Sequence, residues 1–379
     1  MSWPFDARRS TPLGFLGMLA LIGALESFIA RNDPRFSAVE ADTWKSARVA
    51  TDHLQAGGVL TFGDSQVELG ISPISVESRL GQPVQCLAVP GGQAPSSYFL
   101  LRRALRSGTI PSAIVVDFEP HLLQHGRGPG QRMWPELADF DECLDLAQTL
   151  KDSDAFASML LARSLTSYRE RLEIRSNLMA SFRGETPAMP GAMTMARRNR
   201  GMNRGAVIMA KQPPGHQHDY AQWANPSQTG WVPDPLNEAY VHRFLQLARR
   251  HNIPVFCALM PVVPGLKQKA MAVGMESAYF TWLGKLQGRY PHLFVLDWRN
   301  AGYPDSVFID ALHLDVEGSA SVGLALAEYL RRCMRGENVG ERWVTMPPFR
   351  LDGSQVALED HNRSDFVVRS AAVADSIRR

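Results

Sequence analysis

Two short segments, far apart in the chain, carry the residue types of nucleophilic catalysis. Gly63-Asp64-Ser65-Gln66 follows directly on an apolar run, Val59 to Phe62, and Val67 opens a helical pattern. A serine in that place sits at a strand-to-helix turn, where backbone N–H groups point outward without partners. A nucleophilic hydroxyl and a developing oxyanion both gain from such donors. The second segment is Asp310-Ala311-Leu312-His313, ahead of a helical pattern with Gly318 near its start. An Asp and a His three apart in a turn can face one another. The carboxylate then accepts from Nδ1–H and fixes the tautomer, leaving Nε2 free to take a proton from a hydroxyl. Each signal is weak alone: Ser is a common helix cap, and a lone Asp-x-x-His can be a cap followed by a satisfied histidine. Together, one after the first apolar run and the other after the last, they are far more specific.

The elements that must position these residues are five short apolar runs. They are Val59–Phe62, Val84–Val89, Ala113–Phe118, Pro254–Met260 and Leu293–Leu296. Helical periods follow the first, second and fourth, and Val316 to Met334 follows the fifth after a loop. Continuous apolar strands alternating with helices imply a parallel sheet covered on both faces. The expected fold is α/β: a three-layer α/β/α sandwich with a flavodoxin-like five-stranded parallel sheet. In that architecture functional residues gather at the carboxyl ends of the strands. The run between the third and fourth strands, residues 124–231, is too long for a crossover. It is helical in period from Pro135 to Phe182, then rich in Gly, Pro, Met and Arg. We expect it to be an insertion folding over the strand ends.

The 379 residues are 45% hydrophobic and 21% charged, which are globular proportions. Lys plus Arg number 40 against 38 Asp plus Glu, a balance that gives no global field for gripping nucleic acid. Cys86, Cys143, Cys257 and Cys333 form no CxxC pair, so neither a zinc site nor a disulfide scaffold is expected. Arg8 and Arg9 precede the uncharged run Leu13 to Leu25, which Glu26 interrupts before Ser27-Phe28-Ile29-Ala30. A basic flank and an apolar stretch approaching bilayer length predict an N-terminal membrane anchor with the rest exported. The alternative is a cytoplasmic protein whose N-terminal helix packs on its own core. The expected organisation is an anchor over 1–30, a polar stem over 31–57, the α/β domain over 58–336 with the insertion 124–231, and a C-terminal extension over 337–379.

With these blocks in view, the sequence resembles the SGNH/GDSL hydrolases. Gly63–Ser65 matches their nucleophile block, and Asp310 with His313 their acid–base block. The string from Gly63 through Gly70-Ile71-Ser72-Pro73 resembles a variant found in membrane-attached members, including relatives of exopolysaccharide O-acetylation proteins. The likeness covers about residues 58–126 and 232–335. It implies a serine nucleophile at Ser65, a base at His313, an orienting carboxylate at Asp310 and oxyanion donors at Ser65 and Gly91. Gly92 is the other register of the second block, Val89-Pro90-Gly91-Gly92. Asp64, Gln66, Gly92, Glu119 and His121 are the expected substrate contacts. The third block departs from the family. Where members carry G-x-N-D, this chain has Asp117-Phe118-Glu119-Pro120-His121, and no Asn is available as a donor. The implied activity is ester hydrolysis or O-acyl (acetyl) transfer on an acylated carbohydrate, lipid or envelope polymer, with no cofactor or metal. The alternative is a non-catalytic envelope protein that binds a glycan or a protein partner.

The insertion holds further residues of interest. Arg197, Arg198, Arg200 and Arg204 form a cationic run that reads as a solvated face or as a contact for an anionic glycan or lipid headgroups. Trp223 and Trp231 could stack on a sugar or pack on the core, and His216, His218 and Asp219 read as a chance cluster rather than a metal site.

Overall fold

The computed structural model describes residues 13–32, 36–126, 132–184, 190–211, 230–337 and 341–350. The expected apolar runs form parallel strands: β1 (Val59–Phe62), β2 (Val84–Cys86), β3 (Ala113–Val116), β4 (Val255–Leu259) and β5 (Leu293–Asp297). A sixth strand, β6 (Trp343–Thr345), was not expected, so the sheet has six strands rather than five. The order is β2-β1-β3-β4-β5-β6, parallel at every pairing. β6 escapes a periodicity reading because it is three residues long and half-exposed, with no continuous apolar run. Its ladder against β5 is nevertheless regular, with Val295 N–H to the Arg342 carbonyl at 2.7 Å and Met346 N–H to the Asp297 carbonyl at 2.9 Å.

Alternate strand residues face opposite sides, so the core divides into two clusters. Leu60, Phe62, Ile114 and Val116 look to one face, against α2 (Val39–Ala50), α5 (Ala94–Arg106), α7 (Pro235–Arg250) and α8 (Met275–Arg289). Val59, Ala113 and Val115 look to the other, against α3 (Ser65–Gly70), α4 (Pro73–Leu80) and α9 (Val316–Met334). The remaining labels are α1 (Leu13–Arg31) and α6 (Pro190–Met202), and the other helices are given by range.

The stem, whose pattern predicts a helix around Ala38 to Gln55, is helical over Val39–Ala50 and docks on the body. Its helix α2 buries Ala41, Asp42, Thr43, Trp44 and Ala47, and the Trp44 indole donates to the Pro90 carbonyl at 3.1 Å. The polar composition hid a narrow apolar stripe that docks on the sheet. The insertion is integrated as well: Trp134, Leu137, Cys143 and Leu146 join the first cluster. Its later part runs beside the β2 edge, where Cys86 N–H donates to the Arg204 carbonyl at 2.8 Å. That edge would otherwise be an open template for strand addition.

Candidate active site

β1 ends in a sharp turn into α3. Gly63 has φ +138°, and a Cβ there would stand 3.1 Å from Val67 Cγ2 and 3.2 Å from Asp117 Cβ, so only glycine suits the turn. Asp64 caps α3, its Oδ1 accepting from Gln66 N–H at 2.8 Å. Ser65 is therefore the first helical residue, at the carboxyl end of the first strand.

The partner loop is tied at both ends. Phe308 and Leu314 form an antiparallel bridge, and Ile309 N–H donates to the His313 carbonyl at 2.9 Å. Within the loop Asp310 Oδ1 accepts from Leu312 N–H at 2.8 Å and His313 N–H at 2.9 Å. Its other oxygen, Oδ2, lies 2.7 Å from His313 Nδ1. His313 Nε2 lies 2.8 Å from Ser65 Oγ, across 248 residues of sequence. The chain Asp310, His313, Ser65 is thus connected through both ring nitrogens. Burial pushes the Asp310 carboxyl up, but the hydrogen bond and charge of His313, with the two backbone donors, outweigh it and hold the group below its ordinary value. An ionised Asp310 selects the tautomer with a proton on Nδ1 and an acceptor at Nε2.

The turn after β2 meets the same place. Val89 N–H donates to the Gly63 carbonyl at 3.1 Å, and Gly92 N–H to the Val89 carbonyl at 2.8 Å. A Cβ on Gly92 would collide with the Gly63 carbonyl oxygen. The Gly92 donor is occupied, whereas among the described residues the N–H groups of Gly91 (φ +63°) and Ser65 make no hydrogen bond.

The third block is turned inward at Asp117, Phe118 and Pro120, with Glu119 half-buried. Glu119 caps the short helix Pro120–Leu123, its Oε2 accepting from Leu122 N–H at 2.7 Å. His121 is exposed, and its ring meets that of His125 with centroids 4.8 Å apart. Neither residue hydrogen-bonds Ser65 or His313. The segment is fixed from behind by the Asn237 amide, which donates to the carbonyls of Leu122, Leu123 and His125 at 3.0–3.1 Å. Gln66 is buried, and both atoms of its side-chain amide lack a partner.

Asp64 and Glu119, expected as substrate contacts, belong to a group of interacting carboxyls whose other members, Asp117 and Glu68, sequence reasoning missed. Asp64, Asp117 and Glu68 are all buried. Burial, with the negative charge of Glu119, pushes Asp64 up to about 7. Burial, then Asp64 and Glu119, raises Asp117 well above the ordinary range, with Arg299 opposing. Burial lifts Glu68 to about 8 against the pull of Arg200. The available signal was three acids, Asp64, Asp117 and Glu119, all following strands of apolar residues, which places them at one sheet edge.

The cationic run is in part the solvated face expected, since Arg197, Arg198 and Arg204 are exposed, but Arg200 is not. Arg200 is buried, pairing with Asp42 Oδ2 and donating to Thr43 Oγ1 at 2.9 Å. Arg197 pairs with Asp42 Oδ1 at 2.6 Å. Arg204 remains exposed, 3.5 Å from Glu77. Trp231 belongs to the core: its indole donates to the Pro120 carbonyl at 2.7 Å, and its ring meets Tyr279 and Trp282. His216, His218, Asp219 and Trp223 lie outside the described residues. Among the described residues no three His, Cys, Asp or Glu side chains are grouped to hold a metal ion.

Fold and site together define an α/β protein with a parallel sheet and a Ser–His–Asp chain at its carboxyl edge. The family described as protein of unknown function, DUF1574, matches residues 52–317, and the chain belongs to it. The match runs from just past α2 to the start of α9, and so includes Ser65, Asp310 and His313. No curated protein matches the sequence.

Proposed function

We propose that the protein is a serine-dependent ester hydrolase or O-acyl transferase. The observation that carries the reading is the unbroken hydrogen-bonded chain from Asp310 through His313 to Ser65. Ser65 Oγ attacks the ester carbonyl carbon as its proton passes to His313 Nε2. The carbonyl oxygen, now an oxyanion, is received by the N–H groups of Ser65 and Gly91. His313 returns the proton to the leaving alkoxide, which departs as an alcohol and leaves an acyl-serine. Water in a hydrolase, or a second alcohol in a transferase, attacks that acyl group, gives its proton to His313 and restores Ser65.

The resemblance to SGNH/GDSL hydrolases supports this reading, as does the strand order β2-β1-β3-β4-β5, which fits a flavodoxin-like three-layer sandwich. The substrate class follows from the same resemblance: an acylated carbohydrate, lipid or envelope polymer. α1 is exposed but for Ile29 and the half-buried Glu26 and is apolar enough to cross a bilayer, which supports a membrane anchor, and the flanking Arg8 and Arg9 favour an exported domain. A second reading rests on the third block. With Glu119 in place of an amide donor, and Asp64 and Asp117 beside it, the scaffold would bind a glycan or partner without turnover.

A fluorophosphonate probe separates the two. The wild-type protein is expected to be labelled at Ser65 and to hydrolyse p-nitrophenyl acetate. Ser65→Ala should lose both while keeping its melting temperature. Unaltered turnover by that variant, or an unlabelled wild-type serine, overturns the catalytic reading.

A further inference from the structure

Part of the insertion forms an arm whose outer face is not covered by any of the described residues. It comprises the helices Ser153–Ser164, Thr166–Arg169 and Arg171–Phe182. No residue of the last is buried, and Leu172, Leu178, Met179 and Phe182 are exposed, Phe182 at 83%. Arg171, Arg175 and Arg183 are exposed with them. The inner side is held to the body by Arg132, which pairs with Glu173 at 2.7 Å. Four large apolar side chains on one short helix are more than the scattered exposure normal for a soluble surface. Apolar groups flanked by arginines suit the boundary of acyl chains and headgroups, where the long stems lie along lipid and the charges reach phosphate.

The arm is joined to the candidate span. α1 is nearly bare, with Ile29 its one buried side chain among those described. Its Glu26 accepts from Ser167 N–H at 3.0 Å and also from the Ser167 hydroxyl. A carboxylate near the end of an apolar helix thereby fixes the arm at that helix's flank. We propose that the helix Arg171–Phe182 is a second membrane-contacting element, seated on an anionic lipid surface beside α1. The inference rests on α1 lying in the bilayer. Continuity with that helix favours lipid over a second copy of the chain as the occupant.

The test uses the full chain in phosphatidylcholine vesicles containing phosphatidylglycerol. Cys86, Cys143 and Cys257 are buried, and Cys333→Ser removes the remaining partly exposed thiol. An environment-sensitive fluorophore is placed on Phe182→Cys, on Met179→Cys, on Leu21→Cys within α1, and on the exposed Ile110→Cys of the body. Labels at 182 and 179 are expected to be quenched by brominated lipid as label 21 is, and to be protected from iodide. Label 110 should show the reverse. If label 21 is quenched by lipid but 182 and 179 respond only to iodide, the second contact is overturned and the anchor stands. If 182 and 179 are protected from both quenchers, protein covers the face and the proposal also fails. If label 21 itself escapes lipid, anchor and arm fall together.

Discussion

At the residue scale the site depends on one ring being held in one orientation. Asp310 uses one oxygen to close its own loop and the other to hold Nδ1, so loop shape and tautomer are set by the same carboxylate. Asp310→Asn can still accept from the two backbone N–H groups, but its amide can present a donor toward Nδ1. That would favour the tautomer with the proton on Nε2, facing Ser65. The fold should survive while kcat for p-nitrophenyl acetate falls by roughly 10⁴, as for the equivalent change in other triads. A loss of less than tenfold would show that Asp310 does not orient the base. Ser65 and His313 were legible in the sequence because each lies in a short local signal whose chemistry is read from residue type. The occupied donor of Gly92 was not, because it depends on where a turn carbonyl falls.

At the element scale the stem and the cationic run hold each other. Asp42 on α2 and Arg200 on α6 are 158 residues apart and both buried, each neutralising the other. Removing one partner leaves the other charged away from water. Asp42→Ala should therefore lower stability by about 3–5 kcal/mol, read as a drop in the denaturant midpoint. A change within a few tenths of a kcal/mol would mean that water reaches Arg200. This pair draws one arginine of the expected solvated face into the interior. Helical spacing shows which residues share a face, but not that a distant acid is waiting for them. β1 to β5 were legible because buried parallel strands read as continuous apolar runs. β6 has no such pattern, and its place is decided by the edge of β5.

At the scale of the whole molecule, buried carboxyls make stability depend on pH in an unusual direction. A carboxyl whose folded pKa is raised binds more protons folded than unfolded, so stability falls as pH rises between the two values. For Glu68 that window runs from the ordinary 4.5 to about 8. Asp64, raised to about 7, acts in the same direction. Melting temperature should fall across this range, with Asp310, held below its ordinary value, opposing only in more acidic solution. Glu68→Gln should match the wild type near pH 4.5 and exceed it increasingly up to about pH 8. A constant difference between the two melting curves would show that Glu68 is ionised in the folded protein throughout.

The short link between α1 and α2 has a consequence for reach. Arg31 ends the first helix and Val39 opens the second, so seven residues of chain, 32–38, join them. Fully stretched, seven residues extend at most about 25 Å. Since α2 is built into the body, a bilayer-bound α1 would hold the domain, and Ser65 with it, near the lipid surface. On the proposed ester chemistry, the substrate would have to come within that reach, on a lipid, on a growing polymer or by way of a neighbouring membrane protein.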